Sequence, residues 1–300
     1  PCTARCCRIS AAIYRRNAAA ASRGPSDQIP SRCINAVRGA APTFRDPDSN
    51  KRDQSVLETK MSKLRIATYN IHKCVGIDRR YSPERIAEVL EEIDADVIAL
   101  QEVLCHSREN RRDHQAEFIA NALGMDFRLG ENRRIRGGEY GNATLSRLPI
   151  DSFRNHEITV SRYEPRGCLR TEIRLHDGRV LQFFNLHMGT SFFERRKQVH
   201  NLLADHVLDA HGLAGDRMIA GDFNEWISGI TTKLLRSKFR SVEPKLHLGT
   251  SRSFPGFLPL MHLDHIYFDD TFTLTNATLH RTKLSRVASD HLPIFADFEF

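Results

Sequence analysis

The stretch IAGDFNEW, residues 219–226, ends an apolar run in Asp222 and Asn224. Side chains alternate faces along a strand, so these two project the same way, just beyond the end of a sheet. A carboxylate and a neutral amide aimed at one point suit a metal ion, a water molecule or a phosphate. They equally suit a plain turn, since Gly, Asp and Asn are the commonest turn residues. The same signature recurs along the chain. Apolar runs end in Asn70 and His72 (TYNIH), Glu102 (ALQE), Asn142 (GNATLS), Asn185 and His187 (FNLHMG), Asp264 (LDHIYF), and Asp290 with His291 (SDHLPI). Each has a bland reading as a turn residue or a structural histidine. Taken together they are acidic and amide oxygens with several histidines, without cysteine and without a glycine-rich phosphate loop. That set points to a hard, oxygen-ligated Mg2+ or Mn2+ and to metal-assisted hydrolysis. A phosphodiester needs such a set: a cation to neutralise it, a carboxylate within reach of the attacking water, and donors facing the charge of the transition state. An imidazole supplies such a donor when its other nitrogen is held, as a buried Asp would hold it.

The elements that must position these residues follow from periodicity. KLRIATYNIH alternates and reads as a strand. Ser82 and Pro83 open a helix whose apolar face is Ile86, Val89, Leu90 and Ile93. ADVIALQEV suits a buried strand, and DHQAEFIANALG a helix stopped by Gly124. Further strands are expected at YGNATLS, RTEIRL, RVLQFFNLHM, DRMIAGDF, LDHIYF, FTLTNATLH and LPIFADFEF. A long helix is expected at FFERRKQVHNLLADHVLDAHG, with Phe192, Arg196, Val199, Leu203 and Val207 along one side. Many strands with few helices imply an α/β (α+β) sandwich of two sheets, one domain spanning 62–300.

Composition bounds the partners. Hydrophobic residues make up 40% and charged residues 27% of the 300, the balance of an ordinary globular protein. The net charge of +7 falls almost wholly in the first 60 residues, so it is no argument that the main domain binds a polyanion. Seven cysteines without CxxC spacing argue against a disulfide framework and against structural zinc. A reducing, cytoplasmic setting is the expectation, and no run approaches the roughly 18 apolar residues of a membrane span. Residues 1–61 are rich in Arg, Ala and Ser and are expected to stand outside the fold. Two readings compete for them: an organelle transit peptide, or a mis-called start, since Met61 is the first methionine.

The ordered set TYNIH, LQE, GNATLSR, NLHMG, GDFNE, LDHIYF and SDHLPI resembles the endonuclease/exonuclease/phosphatase superfamily, from about residue 64 to the C-terminus. In detail it is similar to small bacterial members described as metal-dependent hydrolases. The resemblance implies a four-layer sandwich of two mainly antiparallel sheets flanked by helices. It also implies Mg2+- or Mn2+-dependent hydrolysis of a phosphoric ester, a nucleic-acid or phospholipid diester foremost. A phosphomonoesterase, or a pseudo-enzyme that binds phosphorylated ligands without turnover, are the alternatives. By the same resemblance Glu102, with Asn70 and Asp290, would hold the metal. Asp222 would activate the water and Asn224 hold it. His291, oriented by Asp264, would stabilise developing charge, and His187 would contact the phosphate. Asn142, Arg170, His72 and Asn185 would touch phosphate oxygens. His72 departs from the Asp that abasic-site endonucleases carry two residues after the first Asn, so DNA repair is not implied. Basic loops at 108–114 and 131–141, and the aromatic loop 250–262, are candidate substrate contacts. Trp226 is expected to pack under the GDFNE turn. A monomer without a stable protein partner is expected.

Overall fold

Alternation in KLRIATYN produces β1 (Lys63–Asn70), whose Leu64 and Ile66 face a second sheet while Ala67 and Tyr69 face helices. The computed structural model describes residues 61–106, 113–204, 207–208, 214–225, 229–242, 253–254 and 263–300. The expected leader up to residue 60, Trp226, and most of the loops 108–114 and 250–262 lie outside the described residues.

Met61–Phe300 forms one unit built on two six-stranded sheets. Numbered along the chain, the first sheet runs β11 (Thr273–Leu279), β12 (Ile294–Glu299), β1, β2 (Val97–Cys105), β4 (Gly138–Ser146), β3 (Asp126–Ile135). The second runs β5 (Ile150–Glu157), β6 (Gly167–Arg174), β7 (Val180–His187), β8 (Asp216–Asp222), β10 (Asp264–Phe268), β9 (Arg240–Ser241). Each sheet has a single parallel pair, β1 with β2 and β7 with β8; the other pairings are antiparallel. The sheets pack face to face over Leu64, Ile66, Val97, Phe183, Met218, Ile266 and Phe298.

Helices cover both outer faces. Helix α1 (Pro83–Ile93) starts where Ser82 Oγ accepts from Arg85 N, with Pro83 at its first position, as expected. It lies with α2 (Gln115–Leu123) on the first sheet, through Ile86, Val89, Leu90 and Ile119. Helices α3 (Phe192–Ala204) and α4 (Ile230–Arg236) cover the second through Val199, Leu202 and Leu235. A short helix, α5 (Ser285–Ala288), leads towards β12. The result is the expected four-layer sandwich, and among the described residues no helix is long and apolar enough to cross a membrane.

Three elements differ from expectation. The basic stretch 131–141 is not a free loop: it closes the β3–β4 hairpin, turning at Arg136 (φ 48°) and Gly137 (φ 81°). β5 carries no apolar alternation because it is an exposed edge strand, where polar residues guard against pairing with other chains. On α3, Phe192 and Arg196 are exposed, while Glu194, Arg195 and Gln198 are buried. These polar groups hold the loop after β7: Gly189 N donates to Gln198 Oε1 at 2.9 Å, and Arg195 donates to the carbonyls of Gly189 and Thr190.

Candidate active site

Along each central strand the side chains between the sheets change character in the same order. β1 presents Leu64 and Ile66, then Thr68, then Asn70; β2 presents Val97 and Ala99, then Gln101. β7 presents Leu181 and Phe183, then Asn185, then His187; β8 presents Met218 and Ala220, then Asp222. Core, polar brace and reactive layer are thus stacked at one end of the sandwich.

The brace crosses between sheets. Gln101 donates to Asn185 Oδ1 (2.9 Å) and Thr68 Oγ1 (3.2 Å), and Asn185 donates to the carbonyls of Leu100 and Ala143. Asn142 donates to the carbonyls of Gly167 (3.0 Å) and Asn185 (3.4 Å). Asn185 therefore spends its whole amide on protein groups and is not a phosphate contact. Asn142 likewise turns its amide nitrogen to backbone, so its expected phosphate donor is already engaged. Both hold the sheets at the separation the reactive layer needs.

Local backbone irregularities aim that layer. Pairing of β2 with β4 shifts between Leu100 and Val103, and Glu102 there takes φ 56°. This bulge turns Glu102 towards Asn70 when strict alternation would send it to the far face. Gly221 sits at φ 153°, and a Cβ there would stand 1.9 Å from Leu186 O, so only glycine lets β8 lie against β7 before Asp222.

Asp222 lies at the centre of the site. Its Oδ2 accepts from Asn70 Nδ2 at 3.0 Å and its Oδ1 from Asn224 N at 2.9 Å. His187 Nε2 and His291 Nε2 stand 3.5 and 3.7 Å from Oδ2. His187 and Asp264 are the register partners of Asp222 on the two neighbouring strands. Asp264 Oδ2 in turn accepts from His291 Nδ1 (3.0 Å) and Ser253 Oγ (2.5 Å). Asn224 Nδ2 is held by Met188 O at 2.8 Å, leaving its oxygen as the atom it can offer a water. The last residue of GDFNE is structural. Glu225 accepts from Thr231 N, Thr232 N and Thr232 Oγ1, capping α4.

The two histidines beside Asp222 are held in opposite states. Burial lowers His291, but Asp264 and Asp222 outweigh it and push it up to about 10. Burial and then the Arg166 guanidinium bring His187 down to about 4. Arg166 NH1 lies 3.0 Å from His187 Nδ1. A guanidinium only donates, so Nδ1 is the acceptor and the ring proton sits on Nε2, facing Asp222. Asp222 itself is raised: burial dominates, opposed by His291 and His187. Burial also raises Glu102, yet His187 and Lys73 outweigh it and hold it down to about 2.

Arg166 and Lys73 escape sequence reading. Arg166 lies in the bland turn YEPRG, and Lys73 follows His72 in a short 3-10 turn, His72–Cys74. Lys73 Nζ donates to Glu102 Oε2. Arg170, the arginine expected at the phosphate, is on the wrong face. It shares its side of β6 with Cys168, packed towards α3, and pairs with Glu172. His72 and Asp290 sit together at the mouth, Nδ1 to Oδ1 3.7 Å.

Two groups here could take a cation. Asp222, Asp264 and His291 offer ligand atoms all within 4.8 Å of one another. Asp264 is already committed to His291 and Ser253, which makes it an orienting carboxylate. Glu102 is the better fit: it is less buried than Asp222, stays ionised, and accepts a cationic ammonium in this structure. Asn70, expected beside it as a ligand, presents its nitrogen to Glu102 (3.3 Å), its oxygen accepting from His72 N.

A paired carboxylate and imidazole set at one end of a two-sheet sandwich defines a hydrolase of phosphoric esters. The chain belongs to the Endonuclease/Exonuclease/phosphatase family, whose model it matches over residues 67–291. It is 28% identical over 250 residues to the uncharacterized protein YbhP of Escherichia coli K12, covering 80% of this chain and 98% of that protein. The fold is shared with an endonuclease/exonuclease/phosphatase family protein of Bacteroides thetaiotaomicron (TM-score 0.66, 19% identity, 80% and 99% of the two chains). It is shared also with the mannosyl-6-phosphatase Bt3783 of that organism (TM-score 0.64, 19% identity, 79% and 100%).

Proposed function

We propose that this chain hydrolyses a phosphodiester by attack of a water that Asp222 deprotonates and Asn224 positions. The carrying observation is Asp222 itself, a buried carboxylate raised towards neutral pH and flanked at 3.5 and 3.7 Å by one neutral and one protonated imidazole. A base works best when its pKa approaches the working pH. His291, held by Asp264, donates to the charge that develops on the phosphate; His187 adds a neutral donor on the opposite side. Mg2+ or Mn2+ would be held by Glu102, with Asp290 near, and supplies neutralisation of the phosphate charge when bound. An organic group on each side of the phosphate is supported by the aromatic lip where α3 begins: Phe192 is 50% and Phe193 72% exposed, five and six residues after His187.

The test is turnover of bis(p-nitrophenyl) phosphate and of the monoester, each with Mg2+, Mn2+ or EDTA. Diester cleavage that needs metal and vanishes in Asp222→Asn supports the reading. The mannosyl-6-phosphatase sharing this fold supports a monoester reading, which turnover of the monoester alone would put in its place. No turnover of either would favour a non-catalytic phospholigand-binding protein.

A further inference from the structure

The residues at the mouth form a closed ring. One arc is the reaction set: Glu102 to Asn70 (3.3 Å), Asn70 to Asp222 (3.0 Å), Asp222 to His187 (3.5 Å). The other returns from His187 to Glu102 through residues the reaction does not use. His187 contacts Arg166 (3.0 Å), Arg166 contacts Glu164 (3.2 Å), and Glu164 contacts Arg133 (2.5 Å). Arg133 lies 4.9 Å from the centre of the Tyr140 ring, Lys73 Nζ lies 5.9 Å from it, and Lys73 reaches Glu102.

This second arc carries three cations and one carboxylate. Glu164 is shared between Arg133 and Arg166, so it neutralises neither fully. Lys73 leans on Glu102, the carboxylate assigned above to the metal. The Nε atoms of Arg133 and Arg166 are buried without a hydrogen-bond partner among the described residues. Two cations are also gathered over one aromatic ring, where they repel each other unless an anion stands between them. Tyr140 is 4% exposed and serves as a floor. The side chains of Lys73 and Arg133 are 32% and 36% exposed, so their charged heads reach solvent from that floor. The scissile phosphate belongs to the first arc; the excess positive charge of the second needs a different anion.

We infer that the Lys73–Tyr140–Arg133–Glu164–Arg166 arc is a subsite for a second phosphate on the substrate, next to the scissile ester. Guanidinium groups match tetrahedral phosphate oxygens in pairs, and the arc supplies two of them with an ammonium. The inference rests on the hydrolytic reading above and narrows its substrate to multiply phosphorylated esters. Consecutive phosphates of a nucleic-acid strand and a phosphorylated polyol headgroup share this chemistry.

The full chain is assayed with Mg2+ on two substrate pairs: the dinucleotide dTpdT against 5′-phosphorylated pdTpdT, and glycerophosphoinositol against its 4-phosphate. The expected result is a kcat/KM about tenfold or more higher, mainly through KM, for the phosphorylated member of one pair. The pair that shows the gain identifies the source of the phosphate. In Arg133→Gln the ratio within that pair falls to near one, whereas Arg170→Gln on the outer face of β6 keeps it. Equal kcat/KM within both pairs, or a ratio unchanged in Arg133→Gln, would overturn the subsite. Absence of turnover on all four diesters would refute the hydrolytic reading instead. In that event titration calorimetry with inorganic pyrophosphate still decides the subsite: about tenfold weaker binding in Arg133→Gln upholds it, and equal binding removes it.

Discussion

The two sheets contribute carboxylates of opposite temper to one site. Glu102, from the first, stands on a bulge beside Lys73 and is held down to about 2, an anion at any working pH. Asp222, from the second, is fully buried between two imidazoles and is raised. Both feel burial as the largest influence, and both are raised by it. The difference is the neighbourhood: Glu102 faces net positive charge, whereas Asp222 also faces the Asp264 carboxylate. A permanent anion suits holding a cation, and a carboxylate poised to accept a proton suits activating water.

Asp222→Asn strikes the proton-accepting half directly. Diester kcat should fall about 10³-fold or more, with thermal stability unchanged or improved, since a buried charge is costly to hold. Steady-state kinetics beside thermal unfolding decide it; a loss under tenfold would mean that the water is activated elsewhere.

Asp264→Asn tests the support of that half. Removing the charge that keeps His291 protonated should lower kcat about 10²-fold and bring the His291 pKa down from about 10. In the metal-free parent, His291 contributes stability fully present below its unfolded value and lost as pH rises through about 10. His187 has the opposite sign: its contribution is present above the ordinary histidine value and lost as pH falls through about 4. Imidazole NMR titration should therefore find neither ring changing state between about pH 6 and 8 in the parent, and His291 titrating within or nearer that window in the variant. Histidines that titrate normally in the parent would undo the contrast.

Glu102→Gln addresses the other sheet. The Mg2+ concentration for half-maximal activity should rise about tenfold, with a smaller change in kcat at saturating metal. Calorimetry of Mg2+ binding checks it independently of turnover. Metal affinity equal to the parent's would move the cation to Asp222, Asp264 and His291.

The smallest effect is expected at Arg170. Arg170→Gln should leave kcat and KM within about twofold, as for a surface change away from the site. A tenfold loss would place this side chain in the site after all.

How far the chain discloses this arrangement varies by residue. The layered order of core, brace and reactive groups is written with a period of two along β1, β7 and β8, so Asn70, His187 and Asp222 stand out from the strand pattern alone. The same rule misleads at Asn185 and Asn142. They obey the strand-end pattern, yet they lie one step short of the mouth and spend their amides across the sheets. Glu102 breaks alternation, and only the bulge explains why it faces Asn70. Arg166 and Arg170 are four residues apart in one segment and equally basic. Nothing local separates them; the face of β6 does.

By itself the sequence determined the strands, the two capped helices α1 and α2, and most of the reactive residue types, because periodicity and capping act over a few neighbouring residues. Which cations close the mouth, and in what electrostatic state each carboxylate is held, were decided by tertiary structure alone. Lys73, Arg133 and Arg166 come from three separate connections, and the field at Glu102 or Asp222 is a sum over groups brought together only when the sheets pack.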